Sequence, residues 1–248
     1  MTESEHLPRA PVVEALLDIQ VTLPKGVEPD DLAALQQRLG KKYPQKQVRK
    51  TWQSELILRP DGVPQTRTSE SPSGYLFSSS DGKDVIQARP DGFAFSRLPP
   101  YNDWDSFSAL AKEGWREYNK LMKPESVNRI ALRYINRISL PLPFSDLSEY
   151  LLTGPQLAPN LSLNLKSFFF RAVTQDEKAK ATAVVTETVE ETTTSSLHVP
   201  FILDIDVFRV GAFPKEPDKL WPLFSPLREL KNRVFFESIT PAAKELFK

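Results

Sequence analysis

The sequence contains no cysteine, and its only histidines are His6 and His198. Without cysteine there are no disulfides, no thiol catalysis and no cysteine-ligated zinc, which fits a reducing compartment. Two histidines cannot form a catalytic or metal-binding histidine cluster within one chain. Serine-nucleophile schemes lack a suitable histidine and the Gly-x-Ser-x-Gly elbow. An excess of either charge is also absent, with 32 Lys+Arg against 32 Asp+Glu, so no global field draws the chain to nucleic acid or an acidic membrane. No window approaches the roughly 18 apolar residues of a membrane span, and the N-terminus lacks a signal pattern. A cytoplasmic, soluble protein is expected. No Gly-x-Gly-x-x-Gly or Walker loop is present, so no nucleotide fold and no cofactor are expected.

Glycine is scarce, at 9 residues, whereas proline is abundant, at 22. Many prolines fall where elements should end, as in "TLPKG", "RLPPY" and "SLPLP". Between them the chain alternates. In 11–24, Val13, Ala15, Leu17, Ile19 and Val21 point one way and Glu14, Asp18 and Gln20 the other. In 127–141, Ile130, Leu132, Tyr134, Asn136, Ile138 and Leu140 share a face, and Arg129, Arg133 and Arg137 share the opposite one.

A short helix is predicted after each of these strands, in "EPDDLAALQQRLGKKYP" and "PFSDLSEYLL". A β-rich stretch follows each, and in the first half Asp81-Gly82 and Asp91-Gly92 mark tight turns of a meander. Each half closes on an amphipathic helix. The first is capped by Asn102 or Asp103 and carries Trp104, Phe107, Leu110, Ala111, Tyr118 and Leu121; the second carries Leu227, Leu230, Val234 and Phe235. Thr240-Pro241 reads as the cap of a last short helix. The expected fold is α+β, an antiparallel sheet with helices. It is built from two pseudo-repeated β-α-β-β-β-α halves, 1–124 and 125–248, in one compact unit.

"APVVEALLDIQV", "GYLFSSSDGKDVIQARPDGFAFSRLPPYNDW", "LRYINRISLP" and "LRELKNRVFFESIT" resemble hallmark segments of a sporadically distributed bacterial and archaeal family. The resemblance spans essentially the whole chain and centres on Tyr134, Asn136 and Arg137. It implies no reaction, cofactor or catalytic residue. The patchy distribution implies a mobile-element, toxin-antitoxin or defence setting.

Several residues are candidates for a site. Arg129, Arg133 and Arg137 lie roughly 13 Å apart in succession along one strand face, too far for one small phosphate to bridge all three. They either line a basic ligand site or pair with Glu14, Asp18, Asp204 and Asp206 on neighbouring strands, and pairing is the favoured reading. Asn136 is a polar amide on an apolar face and needs a partner. Together with Tyr134 it ranks ahead of the arginines as the specific feature of its strand.

Asp204 and Asp206 form the weak Asp-x-Asp motif of a metal-dependent enzyme on nucleic acid or phosphate esters, with Glu187, Glu190 and Glu191 as further carboxylates. No metal site is assigned. Lys46, Arg49 and Lys50, near Tyr43 and Trp52, form a basic-aromatic stretch that reads either as a nucleic-acid contact or as a solvated helix end and a lysine-protected edge. Trp104, Trp115, Phe168, Phe169, Phe170, Trp221, Phe235 and Phe236 read as core. The "SFFF" run needs cover on both faces, which points to oligomerisation or client binding.

The leading expectation is a non-catalytic binding or regulatory protein whose partner is another protein or a second copy of itself, with nucleic acid not favoured. The alternatives are the Asp204/Asp206 enzyme and a small-anion site using Arg133, Arg137, Tyr134 and Asn136.

Overall fold

The alternating segments become strands of a single sheet. The computed structural model describes residues 7–57, 65–144, 146–154, 167–190 and 197–248, without the side chains of 52–57 and 65–69. His6, Glu191 and the Trp52 side chain lie outside the described residues. Nine strands are found among them. In chain order these are β1 (Val12–Thr22), β2 (Gln45–Ile57), β3 (Gln65–Ser78), β4 (Asp84–Arg89), β5 (Gly92–Arg97), β6 (Ser126–Pro141), β7 (Phe169–Asp176), β8 (Ala181–Val189) and β9 (His198–Phe213). Their spatial order is β2-β3-β4-β5-β1-β6-β9-β8-β7, and every neighbouring pair is antiparallel. The two strongly alternating segments, β1 and β6, are adjacent in the middle, with Leu17 opposite Leu132 and Ile19 opposite Ile130. One sheet therefore runs through both halves of the chain.

The period-2 pattern places Ala15, Leu17, Ile19, Phe93, Phe95, Ile130, Leu132, Tyr134, Leu203 and Ile205 on one buried face. The helices pack there. α1 (Leu35–Leu39) lies against α2 (Trp104–Met122); α3 (Pro217–Leu220), α4 (Ser225–Ser238) and α5 (Pro241–Glu245) follow β9. The Asp103 carboxylate accepts the Ser106 N–H at 2.7 Å and caps α2, and Thr240 caps α5 by accepting from Ala243. Trp115, Phe107 and Tyr118 of α2 meet Phe93 and Phe95 of β5. A Cβ on Gly114 would come within 3.0 Å of the Ile86 and Phe93 side chains, so an alanine there requires those side chains to shift.

Three expectations change. Between the first helical segment and α2 the chain makes four strands rather than three. The predicted helix in "PFSDLSEYLL" contracts to a 3-10 turn, Leu147–Glu149, closed by the Asp146 cap on the Ser148 N–H. Phe169 is not core: it is 72% exposed on the face away from the helices, whereas Phe168 packs on Phe201. No helix among the described residues is long and apolar enough to cross a membrane.

Candidate functional site

The two faces of β6 lead to different chemistry. On the face away from the helices, the arginines are paired. Arg133 makes a bidentate contact to Asp204, with Nη2 at 2.6 Å and Nε at 2.9 Å. Arg129 bridges Asp18 at 3.2 Å and Asp206 at 3.1 Å and stacks on Phe208, 4.3 Å from the ring centroid. Arg137 reaches Glu190 at 2.9 Å, and Arg89 of β4 adds a second cation to Asp18 at 2.6 Å. Arg89, Asp18, Arg129 and Asp206 form one connected charge ladder over β4, β1, β6 and β9, and the Arg133–Asp204 and Arg137–Glu190 pairs extend it along β6. Asp18 is buried beneath two guanidinium groups, and Asp206 keeps one buried oxygen without a hydrogen bond. Burial accordingly raises the Asp206 carboxyl above its ordinary range, against the pull of Arg129 and Arg133.

This arrangement leaves Arg133 and Arg137 engaged by acids rather than turned to a ligand. Asp204 and Asp206 are engaged by arginines in the same way. Among the described residues no cluster of three or more His, Cys, Asp or Glu side chains is placed to hold a metal. Lys46, Arg49 and Lys50 do not converge either. Alternation turns Lys46 to the side of Tyr75, 5.7 Å from that ring, and Arg49 to the opposite side, while Lys50 pairs with Glu70.

The helix-side face of β6 opens onto a cavity of about 140 Å³. Tyr134 and Asn136 form its floor. Tyr101 enters from the β5–α2 connection and Trp104 from the first turn of α2, and Arg228, Lys231 and Phe235 come from α4. Their numbering explains the convergence: 228, 231 and 235 fall on one face of a helix. Tyr101 and Tyr134 meet edge to face with their hydroxyl oxygens 2.9 Å apart. Burial raises both phenols, Tyr101 to about 12 and Tyr134 well above its usual value, so both stay protonated near neutrality. Asn136 donates Nδ2–H to the Leu203 carbonyl at 3.0 Å and to the Tyr134 carbonyl at 3.3 Å. Those are the partners its apolar setting demanded.

Two basic side chains line the cavity. Lys231 Nζ lies 3.8 Å from the Tyr134 ring centroid, and the Arg228 guanidinium lies 5.5 Å from that of Trp104. Lys231 makes no hydrogen bond or ion pair with a described residue. Burial first, and Arg228 second, push its ammonium down to about 7. Asp103 is the acid among the described lining residues, and its carboxylate accepts from the Ser106 N–H and hydroxyl at the α2 cap. The site holds an amine whose basicity is lowered toward neutral pH.

Comparison with known proteins adds no assignment: no family model and no curated protein matches the chain. Sequence reasoning reached Tyr134 and Asn136 but missed Lys231, Arg228 and Tyr101. The available signal was the pair of cations three apart in α4, at the margin of the Leu227-Leu230-Val234 stripe, where solvated lysines are also common.

Proposed function

We propose that the protein binds a small organic anion in the cavity between β6 and α4. The observation that carries this reading is the convergence of Lys231 and Arg228 on an aromatic-walled cavity in which Asp103, the one acid among the described lining residues, is engaged at a helix cap. A cavity of this size accommodates a body comparable to benzene. Arg228 supplies a fork for a carboxylate or phosphate, Lys231 a second donor, and Trp104 and Phe235 apolar walls. Of the site residues expected from sequence, Tyr134 and Asn136 belong to this reading, while Arg133 and Arg137 serve the ladder behind it.

The test is calorimetric titration with benzoate, acetate and neutral benzamide. Binding of benzoate that weakens at least tenfold in Arg228→Gln, with benzamide inert, supports the reading. Failure of every anion to bind, or equal binding of benzamide, removes it.

A second reading is recognition of a protein, in line with the resemblance to a sporadic family found in mobile-element or defence settings. Phe169, Val173 and Val210 favour it: all three are more than half exposed and share the sheet face away from the helices. The mirrored order β3-β4-β5-β1 and β7-β8-β9-β6 is also what an internal duplication would leave, with β2 added at one edge. The enzyme built on Asp204 and Asp206 has no comparable support.

A further inference from the structure

We propose that Lys231 forms a reversible imine with a small 2-oxo acid, whose carboxylate is held by Arg228. The inference rests on the anion-binding reading and names the chemistry of its ligand. Three observations carry it. Lys231 Nζ faces the cavity against the Tyr134 ring and has no hydrogen-bond or ion-pair partner among the described residues. Arg228 stands one helical turn before it, so the two side chains are neighbours, with Cβ atoms about 5–6 Å apart. In a 2-oxo acid the carbonyl carbon is bonded directly to the carboxylate carbon, and that short separation matches two neighbouring side chains. The protonated phenols of Tyr101 and Tyr134 supply a neutral polar edge beside the amine, without a negative charge to hold it as ammonium.

The electronic requirement is an uncharged amine, since an ammonium has no lone pair. An apolar enclosure and an adjacent cation are the established means of providing one. The Tyr134 face favours the ammonium, whereas burial and Arg228 oppose it, which leaves the two forms close in free energy at neutral pH. Relative to an ordinary lysine, the neutral fraction at pH 7 is larger by on the order of a thousandfold.

The step balances without an oxidant or reductant. The Nζ lone pair forms the N–C bond to the carbonyl carbon as the C=O π pair moves to oxygen. One proton passes from nitrogen to that oxygen to give the carbinolamine. The carbinolamine loses water, its hydroxyl leaving with a second proton, and the C=N bond forms. Hydrolysis reverses each stage.

The experiment treats the full-length protein at pH 7 with pyruvate or phenylglyoxylate and sodium borohydride, followed by intact mass and peptide mapping. Lactate and benzoate serve as controls that carry a carboxylate but no ketone. The expected result is one reduced adduct, on Lys231, forming at least tenfold faster than on any other lysine. It should be lost in Lys231→Met and slowed at least tenfold in Arg228→Gln, with circular dichroism confirming that both variants fold. If benzoate binds but no adduct forms, or adducts spread evenly over surface lysines, the imine is refuted and the anion site stands. If neither benzoate nor the oxo acids bind, both fall. If a variant fails to fold, competition decides instead: saturating benzoate must suppress the wild-type Lys231 adduct, and undiminished labelling overturns the proposal.

Discussion

Lys231 Nζ lies 3.8 Å from the centroid of the Tyr134 ring, between helix α4 and the middle of the sheet. Among the described residues, Asp103, Tyr101, Tyr134 and Arg228 are the other ionisable groups that line the same cavity. Because the folded protein holds this amine near 7, below its ordinary value, the unfolded chain binds the extra proton between about pH 7 and pH 10. Stability contributed by this group therefore rises with pH across that window, by at most about 1.4 kcal/mol per unit. Above it the trend reverses, since the buried phenols resist ionisation that the unfolded chain undergoes. Urea midpoints from pH 6 to 11 should show the rise in the wild type and a flat response over pH 7–10 in Lys231→Met.

The arginine ladder should yield graded losses. Arg129→Met removes the cation shared by Asp18 and Asp206, both largely buried, and should cost about 3 kcal/mol. Arg133→Met frees Asp204 beside an already strained Asp206 and should cost about 1–2 kcal/mol. Arg137 and Glu190 are both more than a third exposed, so Arg137→Met should cost less than about 1 kcal/mol. Chemical denaturation of the three variants checks the order. An Arg137 loss as large as that of Arg129 would contradict it.

Asn136 joins β6 to β9 from the buried side through the Leu203 carbonyl. Asn136→Ala removes that bond and widens the cavity floor, at a cost of about 1–3 kcal/mol. Asn136→Asp should be worse, because a carboxylate cannot donate to the two carbonyls that Nδ2 serves. Melting temperatures of the two variants at pH 7 measure the difference.

The variant Phe169→Ser should leave stability within about 0.5 kcal/mol of the wild type, as expected for a side chain already in water. On the protein-recognition reading it should also abolish self-association or partner capture. Thermal melts paired with sedimentation analysis separate the two effects.

What could be read from the sequence follows from how local each cause is. The partners of Arg129 and Arg133 were legible because period-2 alternation fixes a face, and acids on neighbouring strands at matching parity can then be named, whereas Arg137 takes Glu190 just beyond β8 and Glu14 accepts from Ser96 instead of an arginine. The demand of Asn136 for a partner was legible for the same reason. Phe169 was misread because hydrophobicity alone does not say which face of an outer strand is covered. The cavity was illegible because its walls come from segments near 7–12, 101–104, 134–136 and 228–236, and only the tertiary arrangement makes neighbours of them. A lysine over a tyrosine ring leaves no local pattern, and its lowered basicity arises only once the helix lies on the sheet.

The central β1–β6 pair also sets an order of events during synthesis. β1 can be flanked by β5 as soon as the first meander is complete, but its other neighbour is made only when residues 126–136 appear. Until then the first half of the nascent chain exposes the backbone edge of β1 with its Glu14 and Asp18 row, an open template for any extended segment. Of those two acids, Glu14 is taken by the Ser96 hydroxyl of β5 and Asp18 by Arg129 of β6, so a charge that closes the finished sheet also guards its middle edge while it waits.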